Sequence, residues 1–318
     1  MTLDSIRGRF APSPTGEMHL GNAWTALLAW LHTRSQQGRM VLRIEDLDPD
    51  RSRKEFVKQL LEDMAWLGLD WDEGPDIGGD YGPYCQSERR DLYEAALKRL
   101  EAAKLIYPCY CTRAELHAVA SAPHLGELEF VYPGTCRLMS SQEQAERQKQ
   151  PRRSSLRLTV PDETVSFRDG LQGEYTQNVR PSCGDFVVRR SDGVFAYQLA
   201  VVVDDGLMAI NQVLRGADLL ASTPRQLLLY QLLGLKAPAF IHVPLLLGKD
   251  GSRLSKRHGS LSLASMRSRG VKADTIVGYL AWKAGQIDTW EPLSAREAVS
   301  LFSLQSIPAM PVVVDDAP

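Results

Sequence analysis

A parallel α/β sheet, interrupted by an inserted segment that carries a cysteine cluster, is the fold class this sequence predicts. Three observations predict it. Short apolar segments alternate with longer helix-patterned ones between Arg7 and Lys104, the order that builds a parallel sheet. From about Leu105 to Arg190 that rhythm breaks, and Cys109, Cys111 and Cys136 fall close together there. At Tyr197 the alternation resumes.

In chain order, Arg7 to Pro12 is a short segment entering a Pro/Ser/Thr/Gly turn that runs to Gly16. Leu20 to Thr33, rich in Leu, Ala and Trp without internal Pro, reads as a buried helix ended by Gly38. Met40 to Ile44 reads as a strand entering the acidic turn Glu45-Asp46. A helix is expected from Arg53 to Leu67, with Val57, Leu60, Leu61, Met64 and Leu67 on one face. Another is expected from Gln86 to about Lys104, with Leu92, Ala96, Leu97 and Leu100 spaced for burial. The middle segment is poor in long helical patterns and carries the basic residues Arg137, Arg147, Lys149, Arg152, Arg153 and Arg157. Beyond it come an apolar run, Leu199 to Val203, ending in Asp204-Asp205, then a helix near Pro224 to Leu233 and a strand from His242 to Leu247. Helical periodicity returns at Ile276, Tyr279 and Leu280, and at Ala298, Leu301 and Phe302, before a proline-rich stretch, Ile307 to Pro318, that reads as frayed. The expected organisation is a first half of the sheet over 1–104, an insert over 105–190, a second half over 191–260 and a short helical region over 261–318.

Of 318 residues, 44% are hydrophobic and 24% charged, ordinary values for a soluble globular protein. Met1 to Phe10 holds no apolar run of the signal-peptide kind, and no later stretch reaches the roughly 18 apolar residues of a membrane span. A formal net charge of −2 excludes a bulk electrostatic signature for nucleic acid, so RNA contacts would come from local basic patches. Five cysteines, an odd number without a secretory signal, point to a reducing compartment, with Cys85 and Cys183 as plain buried thiols.

Two constellations carry chemistry. The first is Arg9-Phe10-Ala11-Pro12-Ser13-Pro14-Thr15-Gly16-Glu17-Met18-His19-Leu20-Gly21-Asn22. It sets His19 at a helix start, where free N–H groups and the macrodipole attract phosphate. Gly21 leaves room for a base or ribose to approach the backbone. Taken alone, His-x-Gly would be a turn with a capping histidine. The second, Lys249-Asp250-Gly251-Ser252-Arg253-Leu254-Ser255-Lys256-Arg257-His258-Gly259, combines Gly/Ser backbone with four cations. That suits a mobile loop closing over a triphosphate, although alone it would be an ordinary solvated loop. Between them, Glu45 and Asp46 end a predicted parallel strand, where open α/β sheets bind ligands. Tyr197 and Arg215, alone, would be a core tyrosine and a surface arginine. Cys109-x-Cys111 precedes Tyr132-x-x-x-Cys136, and zinc prefers four ligands in tetrahedral array. Three thiolates are at hand, with His117, His124 and Tyr132 competing for the fourth place.

The His19 run resembles, almost residue for residue, the signature of glutamate-type class I aminoacyl-tRNA synthetases. Arg253-Leu254-Ser255-Lys256-Arg257 is similar to that family's second signature. Two departures stand out: Arg253 replaces a Lys of the second motif, and Asn22 replaces a His that ends the first. Gly82 to Arg89 and Val203-Asp204-Asp205 resemble the same family, so the likeness covers about residues 7–285.

This resemblance implies a Rossmann-like parallel sheet, a zinc-bearing insert and a small C-terminal helical region without an anticodon-binding domain. It implies ATP-dependent activation of L-glutamate, with His19 and Lys256 catalytic and Mg²⁺ accompanying the phosphates. Pro12, His19, Gly21, Asn22, Arg253, Ser255 and Lys256 would then bind ATP. Arg9, Tyr197 and Arg215 match residues that hold glutamate's side-chain carboxylate, Ser13 and Glu45 match those that hold its ammonium, and Ala11 completes the pocket. Guanidinium forks suit an acidic substrate because they pair with carboxylates in bidentate fashion. A truncated branch of the family attaches glutamate to queuosine in the anticodon of tRNA-Asp. Leu47-Asp48-Pro49 and the Tyr132/Cys136 pair are similar to that branch, in which a tyrosine joins three cysteines, here Cys109, Cys111 and Cys136, around Zn²⁺. The expected partners are L-glutamate, ATP and the queuosine-bearing anticodon region of tRNA-Asp, with no membrane, in a cytoplasmic monomer. The basic stretch from Arg137 to Arg157 would grip RNA phosphates. A short synthetase charging the 3′ end of tRNA-Glu is the alternative.

Overall fold

Strand β1, Arg7–Phe10, is buried at every position and pairs in parallel with β2, Arg39–Leu42, from Arg7 opposite Arg39 to Phe10 opposite Leu42. The structure, a computed structural model, describes residues 5–112, 115–116, 131–149, 151–252, 254 and 261–314. Helix α1, Leu20–Ser35, links the two strands and buries Leu20, Ala23, Trp24 and the whole run Ala26–Thr33. It therefore lies inside the molecule, as its all-round apolar composition requires. The strand expected over Met40 to Ile44 leaves the ladder after Leu42. Its chain continues extended, with the Arg43 N–H donating to the Phe10 carbonyl (3.0 Å) and the Ile44 N–H to the Tyr84 carbonyl (2.8 Å).

Helix α2, Lys54–Trp66, buries Leu60 and Met64 on the expected face. The helix expected from Gln86 begins instead with a 3-10 turn, Gln86–Glu88, and α3 spans Arg90–Ala102. The break has a reason: Gln86 and Arg89 both turn inward to one buried carboxylate, Asp204.

Next come β3, Ile106–Cys109, helix α4, Ser141–Gln148, and β4, Ser155–Leu158. Strands β5, Thr164–Asp169, and β6, Gly173–Asn178, make an antiparallel hairpin that ends in a helical turn, α5, Val179–Cys183. Strand β7, Val187–Arg189, completes the antiparallel sheet β3-β4-β7. The run ending in Asp204-Asp205 is helical: α6 covers Tyr197–Leu207. Strands β8, Gln212–Gly216, and β9, Ala239–Val243, pair in parallel around α7, Thr223–Leu233. Strand β8 packs beside β1, where the Asn211 N–H reaches the Arg7 carbonyl (3.1 Å). The sheets are thus mixed, parallel around β1 and β8 and antiparallel over β3 to β7.

After β10, Leu246–Leu247, come α8, Leu263–Ser268, α9, Ala273–Lys283, and α10, Ala295–Leu301. All three contribute to the core built around α1. The proline-rich end corrects the frayed reading. Strand β11, Val312–Val313, pairs in parallel with β10, and Ile307 and Val314 are buried. Burial of Val314 beside Leu247 outweighs the local breakers. Val314→Asp, which buries an unpaired carboxylate, should cost on the order of 3 kcal/mol, whereas Met310→Asp at an exposed site should stay within about 0.5 kcal/mol. Urea unfolding measures both, and equal effects would mean that the β10–β11 pairing does not hold.

Candidate active site

Helix α6 carries two adjacent carboxylates, Asp204 and Asp205, into the core at 0% and 1% exposure. Each needs cations there, because an unpaired buried charge is costly. Arg43, itself 0% exposed, donates to Asp205 (2.7 Å) and Glu45 (3.1 Å) and lies 3.7 Å from Asp204. Asp204 also accepts from Arg89 Nε (2.6 Å), Gln86 Nε2 (2.7 Å) and the Tyr93 hydroxyl (2.9 Å). Arg9 Nε reaches Asp205 at 3.4 Å. Burial would push Asp205 up, but Arg43 and Arg9 hold it below the usual carboxylate range. For Glu45 burial wins, against the pull of Arg43 and Arg9, and its carboxyl is raised.

Through Glu45 and Gln86 this network meets a cleft of about 450 Å³. Ser13, Glu45 and Tyr197 line it, together with Leu47, Asp48, Phe195 and Arg190. Tyr197 lies within electrostatic reach of Arg215, Glu45 and Arg9; Arg9 and Arg215 themselves do not line the cleft. Arg215 is buried, not a surface residue. It donates through Nε to His242 Nε2 (3.0 Å) and through Nη2 to Thr223 Oγ1 (2.8 Å), and it lies over the Phe240 ring at 4.9 Å. Its Nη1 has no hydrogen-bond partner, and no carboxylate contacts its guanidinium among the described residues. Burial lowers its pKa, yet an arginine stays protonated. A buried cation without an anion is a place for an anionic ligand.

A second cleft, of about 220 Å³, is lined by His19, Gly21 and Asn22 from the first motif and by Thr25 beyond it. His19 caps α1: its Nδ1 accepts from the Gly21 N–H (3.1 Å), which places the neutral ring's proton on Nε2. Asn22 Oδ1 accepts in return from the His19 N–H (3.2 Å). A Cβ on Gly21 would stand 3.1 Å from His19 Cε1, so the glycine makes room for the histidine ring itself. Lys256, Arg253 and Ser255 lie outside the described residues. Their described flanks reach this cleft: Leu254 lines it, and the Leu263 N–H donates to the Met18 carbonyl (2.9 Å). Gly216, Asp218, Leu245 and Leu246 also line it and were not singled out in the sequence. Their position at or just beyond the ends of strands β8 and β9 was the available signal, since ligands gather at such strand ends.

The three cysteines come together as well. Sγ atoms of Cys109, Cys111 and Cys136 lie within 4.8 Å of one another, and Tyr132 Oη lies 3.5 Å from Cys109 and 3.7 Å from Cys111. The other candidates for a fourth ligand, His117 and His124, lie outside the described residues. Burial alone would raise Cys109, but hydrogen bonds from Tyr132, the Cys111 N–H and Arg157 pull it down to about 7. Arg157 corrects one expectation. It is buried over the Tyr132 ring (3.9 Å) and donates to the Asp185 carbonyl (2.7 Å), so it is not an RNA-gripping surface residue. Lys149, Arg152 and Arg153 are exposed.

Residues 5–300 match the family described as tRNA synthetases class I (E and Q), catalytic domain. The chain belongs to that family, and it is a ligase of the class I type. A glutamyl-Q tRNA(Asp) synthetase of Symbiobacterium thermophilum is 55% identical to it, over 96% of this chain and 94% of that protein. Glutamate--tRNA ligase 2 of Syntrophus aciditrophicus is 43% identical over 99% of this chain but 65% of its own length. The crystal structure of a glutamate tRNA ligase from Elizabethkingia meningosepticum, in complex with its amino acid, superposes with a TM-score of 0.84 at 29% identity. That match covers 98% of this chain and 67% of the other.

Asp204 is the most heavily shared acceptor of the site. Asp204→Ala should lower folding stability by about 3–5 kcal/mol, because it strands Arg89 and weakens the hold on Arg43. Chemical denaturation measures the loss, and a change below about 1 kcal/mol would show that solvent replaces the carboxylate.

Proposed function

We propose that this chain activates L-glutamate with ATP and transfers it to queuosine in tRNA-Asp. One observation carries the amino-acid half of that reading: the buried Arg215 guanidinium with an unpartnered Nη1, beside Tyr197 and Arg9. A side-chain carboxylate completes that cation, whereas a neutral carboxamide leaves it unpaired, which costs selectivity against glutamine. Glu45, with Ser13 also lining the cleft, suits the substrate ammonium.

The α-carboxylate of glutamate attacks the α-phosphorus of ATP, forming an acyl–phosphate bond as pyrophosphate leaves. His19, with its proton on Nε2, donates to a phosphate oxygen, and Lys256 adds positive charge as negative charge develops. Magnesium accompanies the phosphates and offsets part of their charge. An acceptor hydroxyl then attacks the acyl carbon and AMP departs. Both nucleophiles belong to substrates, so the protein contributes positioning and electrostatics.

The acceptor assignment rests on the relatives. The glutamyl-Q synthetase is more similar than the glutamate–tRNA ligase and is matched along nearly its whole length. We read residues 105–190 as an insert whose exposed Lys149, Arg152 and Arg153 grip RNA phosphates, in a cytoplasmic enzyme acting as a monomer. Among the described residues no helix is long and apolar enough to cross a membrane. The test is radiolabelled glutamate transfer to tRNA pools with and without queuosine, after enzymatic removal of the 3′ adenosine. Transfer that needs queuosine and survives trimming is expected. Transfer lost on trimming makes the chain a short glutamyl-tRNA synthetase.

The cysteine cluster fits zinc. Ligands about 2.3 Å from a tetrahedral ion stand about 3.8 Å from one another. The Cys111–Cys136 separation of 3.5 Å and the Tyr132 distances of 3.5 and 3.7 Å are close to that. Cys109, Cys111, Cys136 and Tyr132 would hold the ion, which would tie β3 to the turn before α4. Protein made in zinc-replete medium should carry about one zinc per chain, and Cys109→Ser should release it while glutamate-dependent pyrophosphate exchange survives in part. Metal analysis without zinc would remove the assignment.

A further inference from the structure

Arg215 is held by neutral partners, and one of them is set by a residue from elsewhere. His242 on β9 is fully buried, with Nδ1 2.6 Å from Asp169 Oδ2 and Nε2 3.0 Å from Arg215 Nε. An ionised carboxylate only accepts and a guanidinium only donates, so the tautomer is determined. His242 carries its proton on Nδ1 and offers Nε2 as the acceptor for Arg215. Asp169 is the last residue of β5, in the segment 105–190. The hairpin docks against β9: the Gly170 N–H donates to the Phe240 carbonyl (2.9 Å), and a Cβ on Gly170 would meet Ile241 Cγ1 at 2.7 Å.

We infer that Asp169 is a positioning residue for amino-acid recognition: through His242 it locks the Arg215 guanidinium and leaves its unpartnered Nη1 for the substrate's side-chain carboxylate. The inference rests on the assignment of Arg215 to the substrate's side-chain carboxylate. The guanidinium is planar, so fixing Nε on His242 and Nη2 on Thr223 fixes the direction of Nη1. Nothing else described donates to or accepts from Nη1. Asp169 Oδ1 meanwhile accepts from the backbone N–H groups of Leu171 (3.0 Å), Gln172 (2.9 Å) and His242 (3.1 Å). That commitment decides what an asparagine would do. Its carbonyl oxygen must take the Oδ1 place, so its NH₂ must face His242 Nδ1. The imidazole then shifts its proton to Nε2, and an N–H confronts the Arg215 Nε–H. Two donors repel, and the guanidinium turns from its place.

The test is glutamate-dependent exchange of pyrophosphate into ATP, with KM read separately for each substrate. Arg215→Ala serves as the reference: wild-type exchange without glutamate dependence, or an unchanged glutamate KM in Arg215→Ala, sinks the pocket assignment itself. With that reference in place, Asp169→Asn should raise the glutamate KM at least about tenfold and leave the ATP KM within about twofold. The double variant Asp169→Asn/His242→Gln should recover most of the loss, because the glutamine carbonyl replaces Nε2 as acceptor whatever stands at 169. An unchanged glutamate KM in Asp169→Asn overturns the inference, and so does an equal rise in both KM values. Failure of the double variant to recover overturns it too. Should Asp169→Asn not fold, His242 decides alone. His242→Gln should keep the glutamate KM within about threefold and His242→Leu should raise it about tenfold or more, while equal values in the two refute the relay.

Discussion

Two neighbouring carboxylates on one buried helix, Asp204 and Asp205, set the terms for the rest of the molecule. Desolvating each costs several kcal/mol, and mutual attraction offsets that only when hydrogen bonds match every charge. Arg43 comes from the chain just after β2, Arg9 from β1 and Arg89 from the turn before α3. Those elements must therefore meet α6, and the strand ends that line the cleft are drawn together by the same contacts. Glu45 sits two residues beyond Arg43 and accepts from it, so the network reaches directly to the cleft wall.

Arg215 is treated in the opposite way. Arg43 meets three carboxylates, whereas Arg215 meets an imidazole, a hydroxyl and an aromatic face. Neutral acceptors hold a guanidinium in place without neutralising it. The charge stays available to a ligand, and a dry environment strengthens what it can do there. An arginine that pairs with carboxylates therefore holds Glu45 in the cleft wall, and one without a carboxylate lies where an acidic substrate is proposed to bind.

The cysteine cluster is close enough to matter to this cleft. Val187 and Arg190 line the cleft and also a small cavity bounded by Cys109 and Cys111. Arg190 in turn pairs with Asp48 at 3.0 Å, another residue that lines the cleft. A metal that stiffens the turn around Tyr132 would thus steady one wall of the mouth, at a distance from the reacting atoms.

Much of the fold was legible in the residues. Helix α1 announced itself by an unbroken apolar run, α2 by one apolar face, and the His19 motif by a proline-stiffened turn at a helix start. These are local patterns, written in consecutive residues, and local sterics and burial suffice to read them. The pairings that make the site work were not legible. Asp169 and His242 are 73 residues apart, and Arg43 and Asp205 are 162 apart. No periodicity links such positions, and an arginine looks the same in sequence whether it ends in water or under a ring. Arg157 was therefore read as an RNA-gripping residue, Arg215 taken without the family resemblance as a surface arginine, and Val312–Val314 as part of a frayed end. By itself, the sequence determined the alternating α/β order, the paired motifs and the cysteine spacing, because each is a property of neighbours along the chain. Only the tertiary structure decided which described cations are matched by carboxylates and that Arg215 is not, because charge compensation depends on what burial brings within a few ångströms.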